Sequence, residues 1–400
     1  MQNQLKQYSY EVLKKELLRI WPNIEVAAYA LYDSEKVYLF HHPNYLNEND
    51  GFTILPWTEQ FAGSTVILFE DFPTAIDRIE NGVFFEKQLS ILAHELFHAY
   101  QYVKGEKRFP NEMLGITYPL IKENMELRIK ERLHLLSAVK SNSYEKMIEH
   151  LETFISIREH RKDIIDEYFT YETKIETVEG PAFYVEYQTY TNTGASTAEQ
   201  ELETYKDLLI DPFTANESIR KASYSSGLLI AICLDRLKSD WKEILFQTDL
   251  SLYDLLKRQL PFKTTKYDIS YEEESLYEAI IKKINYLRTN EIKQFLESQP
   301  YQVSIKGNFK IKGFDPMNIT TSGNQQLHKN FLSLETKYGM TFIQQPVVTY
   351  FKDSFLSIEK IHFSLPEKPV IGENYVVIDR GGKFEGTINK NDDGKIEIIS

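Results

Sequence analysis

Cysteine occurs once in the 400 residues, at Cys233 inside an apolar run, so no intramolecular disulfide can staple the fold and no cysteine cluster can hold a metal. Basic residues also run short, with 46 Lys and Arg against 59 Asp and Glu and a formal net charge of −13. Nucleic acid and anionic membrane both attract positive surfaces, so neither is expected as a partner. No apolar run approaches the roughly 18 residues a spanning helix needs. Met1-Gln2-Asn3-Gln4-Leu5-Lys6 lacks the basic-then-apolar pattern of a secretory leader. A cytoplasmic protein is the expectation. Glycine is absent from Pro119 to Asp166, where apolar residues recur at helical period among Lys, Arg and Glu. Two long helices are expected there, broken near Ser141-Asn142-Ser143.

Rings are abundant, with 26 Tyr and 24 Phe, and predict aromatic cores. The patterning predicts an α+β chain. Residues from about Tyr10 to Ile20 read as an amphipathic helix. Ile24 to Tyr32, Lys36 to His41 and Val66 to Phe69 read as strands, the first two joined by the turn Asp33-Ser34-Glu35. His41 and His42 precede Pro43 and read as structural. Ser251 to Ser298 reads as largely helical, with Glu272 to Glu274 as a solvated start. Beyond Gln299 the texture changes to alternating strands at Val303 to Gly307, Asn308 to Lys312, Val347 to Phe351, Leu356 to Leu365 and Tyr375 to Asp379. Gly381-Gly382 and Asn391-Asp392-Asp393-Gly394 read as hairpin turns. The expected division is a mostly helical domain with a small N-terminal sheet over 1–298, carrying a helical insertion over about 111–173, and an all-β domain over 299–400.

Within this frame stands His94-Glu95-Leu96-Phe97-His98, an H-E-x-x-H box. Leu89, Leu92, Ala93, Leu96, Phe97 and Tyr100 give its segment a buried helical face. Residues four apart on a helix lie about 40° from each other, so both imidazoles can share one metal ion. Two imidazoles, a third ligand and an open position for water make up a catalytic zinc site, with Glu95 placed as general base. No histidine follows within a dozen residues of His98, which turns attention to a glutamate as third ligand. The strongest candidate is Glu179, in Glu179-Gly180-Pro181-Ala182-Phe183-Tyr184-Val185-Glu186, read as a helix start whose Gly180 and Ala182 let that helix approach the first. Glu186 shares its face and reads as a supporting carboxylate or a surface charge. His134, His150 and His160 read as surface or packing residues.

The segment Glu179-Gly180-Pro181-Ala182-Phe183-Tyr184 resembles the E-G-x-A-x-Y third-ligand segment of the aminopeptidase N branch of the gluzincins, the thermolysin and aminopeptidase N type of metallopeptidase. Tyr224-Ser225-Ser226-Gly227 is similar to the Y-x-x-G helix of the same group, and the three motifs occur in the family's order. The resemblance implies a gluzincin-like catalytic domain with zinc held by His94, His98 and Glu179. It also implies a Tyr224 hydroxyl that donates to the oxyanion of the tetrahedral intermediate. Two departures stand out. Eighty residues lie between His98 and Glu179, where relatives keep these motifs close, and no G-x-M-E-N segment precedes the box to bind a substrate's amino terminus. The expectation is therefore a zinc-dependent hydrolase of peptide bonds acting on a peptide or protein, with no presumption of aminopeptidase action. A binding module that keeps the fold without turnover and a zinc hydrolase of other substrates are the alternatives.

Overall fold

Five short strands near the N-terminus pair into one sheet in the computed structural model, which describes residues 5–45, 51–80, 82–260, 274–337, 339–352, 354–390 and 395–400. They are β1 (Ala28–Tyr32), β2 (Lys36–Phe40), β3 (Phe52–Pro56), β4 (Thr65–Phe69) and β5 (Phe72–Arg78), in the order β3-β2-β1-β5-β4. β1 is buried along its whole length, as a central strand with both faces covered must be. It runs parallel to β5 and antiparallel to β2. At the β4–β5 hairpin Glu70 and Asp71 both take positive φ, 43° and 70°, the backbone a two-residue hairpin requires. One face of the sheet packs Ala30, Tyr32, Val37, Leu39, Phe61 and Ile76 together.

The amphipathic helix expected near the N-terminus is α1 (Tyr10–Ile20), with Leu13, Leu17 and Ile20 buried. The box lies on α2 (Phe85–Val103), which packs against β5. Its apolar stripe is buried as its period requires, and Phe97 meets Trp21 edge-on at a centroid distance of 4.6 Å. Two long helices then follow, α3 (Lys122–Lys140) and α4 (Tyr144–Ile165), separated at Ser141-Asn142-Ser143, where the Ser143 hydroxyl caps α4. Next come α5 (Glu167–Asn192) and α6 (Ile219–Arg236), the most extensively packed pair of helices.

The chain separates into two compact units, Met1–Asn111 with Leu120–Glu272, and Glu112–Pro119 with Glu273–Ser400. The helix α7 (Glu274–Glu297) therefore belongs with the C-terminal strands, where the sequence placed it at the end of the first domain. Ile292 buries itself with Leu327 and Val348 of that unit. The C-terminal unit is built on a 14-residue strand, β6 (Tyr301–Phe314), which the sequence divides in two at Gly307. It pairs with β7 (Leu332–Thr336), β8 (Ser357–Leu365) and, in parallel, β9 (Ile396–Ile399). Val303, Ile305, Leu334, Ile361, Phe363 and Ile398 belong to its fully buried core. The hairpin expected at Gly381-Gly382 joins Tyr375–Ile378 to Gly382–Glu385. The turn Asn391 to Gly394 and the acidic residues Glu272 and Glu273 lie outside the described residues. The architecture is a mixed α+β one with an N-terminal sheet and a C-terminal all-β region.

Candidate metal centre

Helical spacing on α2 brings His94 and His98 to one side, their Nε2 atoms 3.0 Å apart. Glu179 Oε2 completes a triangle, 3.1 Å from His98 Nε2 and 3.9 Å from His94 Nε2. These three residues form a group able to hold a metal ion. Tetrahedral bonds of about 2.0–2.1 Å place neighbouring ligand atoms about 3.3 Å apart, so two of the three separations match one such ion and the His94–Glu179 gap must close by about half an ångström to join them. The donor set is also chemically apt, since two imidazoles and a carboxylate suit a borderline divalent metal.

Each candidate ligand is gripped from behind. His98 Nδ1 faces Gln101 Oε1 at 2.7 Å, and Gln101 Nε2 donates to the Val178 carbonyl on α5 at 2.8 Å. One amide thus orients a ring and ties the two ligand-bearing helices together. Behind His94, Glu186 Oε2 lies 3.1 Å from Nδ1, out of line for a hydrogen bond but close for its charge. The other oxygen of Glu186 accepts from Lys87 Nζ at 2.8 Å. Glu186 is thus a buried supporting carboxylate. Such partners fix the tautomer and raise the basicity of a ligating imidazole. Glu179 Oε1 accepts from Arg220 at 3.1 Å, which leaves Oε2 directed at the histidines.

Glu179 lies in the middle of α5, where the sequence expected a helix start. Pro181 sits inside this helix and lacks the N–H that would bond the Thr177 carbonyl. Flanking contacts hold the turn regardless: the Thr177 hydroxyl accepts from Leu252 N, and Val178 O takes the Gln101 amide. Gly180 likewise has a different role from the one expected. It meets Gly227 of α6 and not the box helix: a Cβ on either glycine would stand 2.7 Å from the other's Cα. Only two glycines allow this approach. The contact sets the distance between the helix of Glu179 and the helix of Tyr224.

Tyr224 reaches the group. Its hydroxyl feels the Glu179 charge, and burial, then that charge, pushes its pKa far above the usual phenol value. The ring of Phe183 packs edge-on between His94 and Tyr224, 5.5 Å from each. Glu95 is buried beside the ligands. Burial raises its carboxyl, and the Glu179 and Asp77 charges add to this, against the opposing pull of His94 and His98. Burial pulls His98 down, but the hydrogen bond and charge of Glu179 outweigh it and bring the imidazole up to about 9. Burial pushes Glu179 up, while His98, His94 and Arg220 together pull it down to about 2. The carboxylate is held ionised, as a ligand must be.

The remaining histidines form no such group among the described residues. His42 Nε2 faces the Phe69 carbonyl at 3.0 Å, and His134 and His150 face each other through Nδ1 at 3.2 Å. Gln101, Arg220 and Lys87 were not singled out from the sequence. Gln101 was within reach of such reading, being one helical turn beyond His98. Arg220 and Lys87 are brought in only by tertiary packing.

No protein-family model, no curated protein and no solved structure compared with the chain matches it. No helix among the described residues is long and apolar enough to cross a membrane.

Proposed function

We propose that the chain is a zinc-dependent hydrolase of peptide bonds, of gluzincin type, with His94, His98 and Glu179 as ligands. The observation that carries this reading is the convergence of those three side chains beside a buried Glu95. When bound, a zinc ion would supply Lewis acidity, lowering the pKa of a water and polarising the scissile carbonyl.

Every other part falls to the chain's own groups. Glu95 takes the proton of the attacking water and delivers it to the leaving amine. Its raised carboxyl pKa suits a group that must both accept and release a proton near neutral pH. Tyr224, kept protonated by burial and by Glu179, donates a hydrogen bond to the carbonyl oxygen as negative charge gathers there. Gln101 and Glu186 hold the two imidazoles in orientation, and Arg220 holds Glu179. The net charge of −13 favours neutral or basic peptides as substrates.

Elemental analysis of the purified protein, combined with digestion of a peptide library by wild type and Glu95→Gln, tests the proposal. The expected result is about one zinc per chain and cleavage that depends on Glu95. Bound zinc with no Glu95-dependent cleavage would overturn the peptidase reading and leave a binding module or a zinc hydrolase of other substrates. A chain that takes up no divalent metal would overturn every zinc-dependent reading.

A further inference from the structure

The hairpin of α3 and α4 turns at Ser141-Asn142-Ser143, and His134 and His150 stand eight residues before and eight after its midpoint, Asn142. Antiparallel helices joined by so short a turn set such positions opposite each other. The two rings meet across the helix interface with centroids 5.4 Å apart and planes at 52°, and their Nδ1 atoms approach to 3.2 Å. As a hydrogen bond this contact lies at the long end of the ordinary range, and it requires one Nδ1 to donate and the other to accept. The same separation suits two ligands on one tetrahedral ion, since bonds of about 2.0–2.1 Å set neighbouring nitrogens about 3.3 Å apart.

There is room beside the pair. His150 lines an open cavity of about 630 Å³ between the end of α3 and the start of α4. A water molecule takes up about 30 Å³, so the cavity accommodates the rest of an ion's coordination shell. Burial, then the His150 charge, lowers the His134 pKa below its ordinary 6.5, so this ring is neutral at pH 7, as a metal ligand must be. Two cations, Lys140 and Lys146, also line the cavity, and Lys140 is paired with Glu203. Glu149 supplies a negative charge that acts on His134. Among the described residues no third histidine, cysteine or carboxylate joins the two rings, which leaves the remaining positions of an ion to water.

We propose that His134 and His150 form a second metal site, which takes a borderline divalent ion such as zinc or copper(II) through both Nδ1 atoms and ties α3 to α4. Imidazole pairs select such ions over magnesium and calcium, which demand oxygen ligands. With two protein ligands against three, the site holds its ion less tightly than the metal centre and fills after it. An ion that binds the rings only where the folded hairpin pairs them stabilises the fold. The site shares no residue with the group of His94, His98 and Glu179 and stands whether or not the chain is a hydrolase.

Zinc titration of the full chain against a chelating dye tests this on wild type, His134→Gln and His150→Gln. Wild type should take up one zinc more than either variant. Equal uptake by all three would overturn the proposal. The readout is a difference, so it separates this site from the metal centre: were that centre to bind nothing, wild type would take one zinc and the variants none. If the variants do not fold, crystals of wild type soaked in zinc decide the question. An anomalous peak about 2.1 Å from both Nδ1 atoms supports the site, and two rings with no peak between them overturn it.

Discussion

Glu95 and Tyr224 can each be altered without disturbing the three candidate ligands, which makes them the sharpest probes of the chemistry. Glu95→Gln keeps shape and burial but cannot take a proton. It should retain zinc and lose peptide cleavage by roughly 10²- to 10⁴-fold, measured as kcat on a fluorogenic peptide. Tyr224→Phe removes one donor to the oxyanion and should lower kcat by about 10²-fold with KM nearly unmoved. Gln101 acts through His98, so Gln101→Leu should weaken zinc binding about 10- to 100-fold in competition with a chelating dye. Wild-type kcat at saturating zinc separates this from a catalytic role, since a positioning residue is rescued by excess metal. At this scale the box was fully legible, because helical spacing alone places His94, Glu95 and His98. Glu179 and Tyr224 were legible only through their motifs. The supports Arg220 and Lys87 come from distant turns of the chain, and no local pattern marks them.

Helices α5 and α6 are held at a separation set by Gly180 and Gly227. Gly227→Ala forces backbone against backbone and should cost about 1–3 kcal/mol in urea denaturation. It should also lower kcat, because it shifts Tyr224, three residues away on the same helix. Arg158→Met strands Glu176 in the interior without its ion pair and leaves Glu131 with Arg161 alone, and should cost about 3–5 kcal/mol. The elements that periodicity located best were α1, α3, α4 and strands such as Val347–Phe351, whose patterns are strong and whose ends carry turn residues. Two kinds of element were harder to read. Phe52–Pro56 and Phe72–Arg78 become strands through pairing with neighbours. Glu179 reads as a helix start but lies inside α5, which runs on through Pro181. The helix α7 is legible as a helix but its unit is not, since periodicity says which face is apolar and not what covers it.

At the scale of the whole molecule the two units should respond differently to acid. In the first, burial pushes Glu131 up, but the charges of Arg158 and Arg161 prevail and hold its carboxyl below the usual value of 4.5. Its contribution is thus present above about pH 4.5 and is lost as pH falls through the lower value of the folded state. In the second, burial alone brings His328 down to about 4 from 6.5. The unfolded chain takes up a proton below pH 6.5 that the folded unit refuses, so stability falls from there and levels off below about pH 4. The loss is at most roughly 3 kcal/mol. Burial brings His362 of the same unit down to about 4 as well, so calorimetry across this range should show the transition of the second unit weakening at mildly acidic pH, with His328→Gln removing about half of the effect.

The excursion Glu112–Pro119 belongs to the second unit although it interrupts the first, and this has a consequence in time. On the ribosome the segment emerges about 200 residues ahead of the strand Ile319–Ser322 that it packs on, an interval of roughly 10 to 40 s at ordinary rates of synthesis. Throughout that wait Met113, Leu114, Ile116 and Tyr118 stay without the strands they will join. The nascent chain therefore carries a sticky octapeptide that chaperones can hold and proteases can cut. A stalled chain ending at Glu272 should be cleaved there, and the finished protein should not.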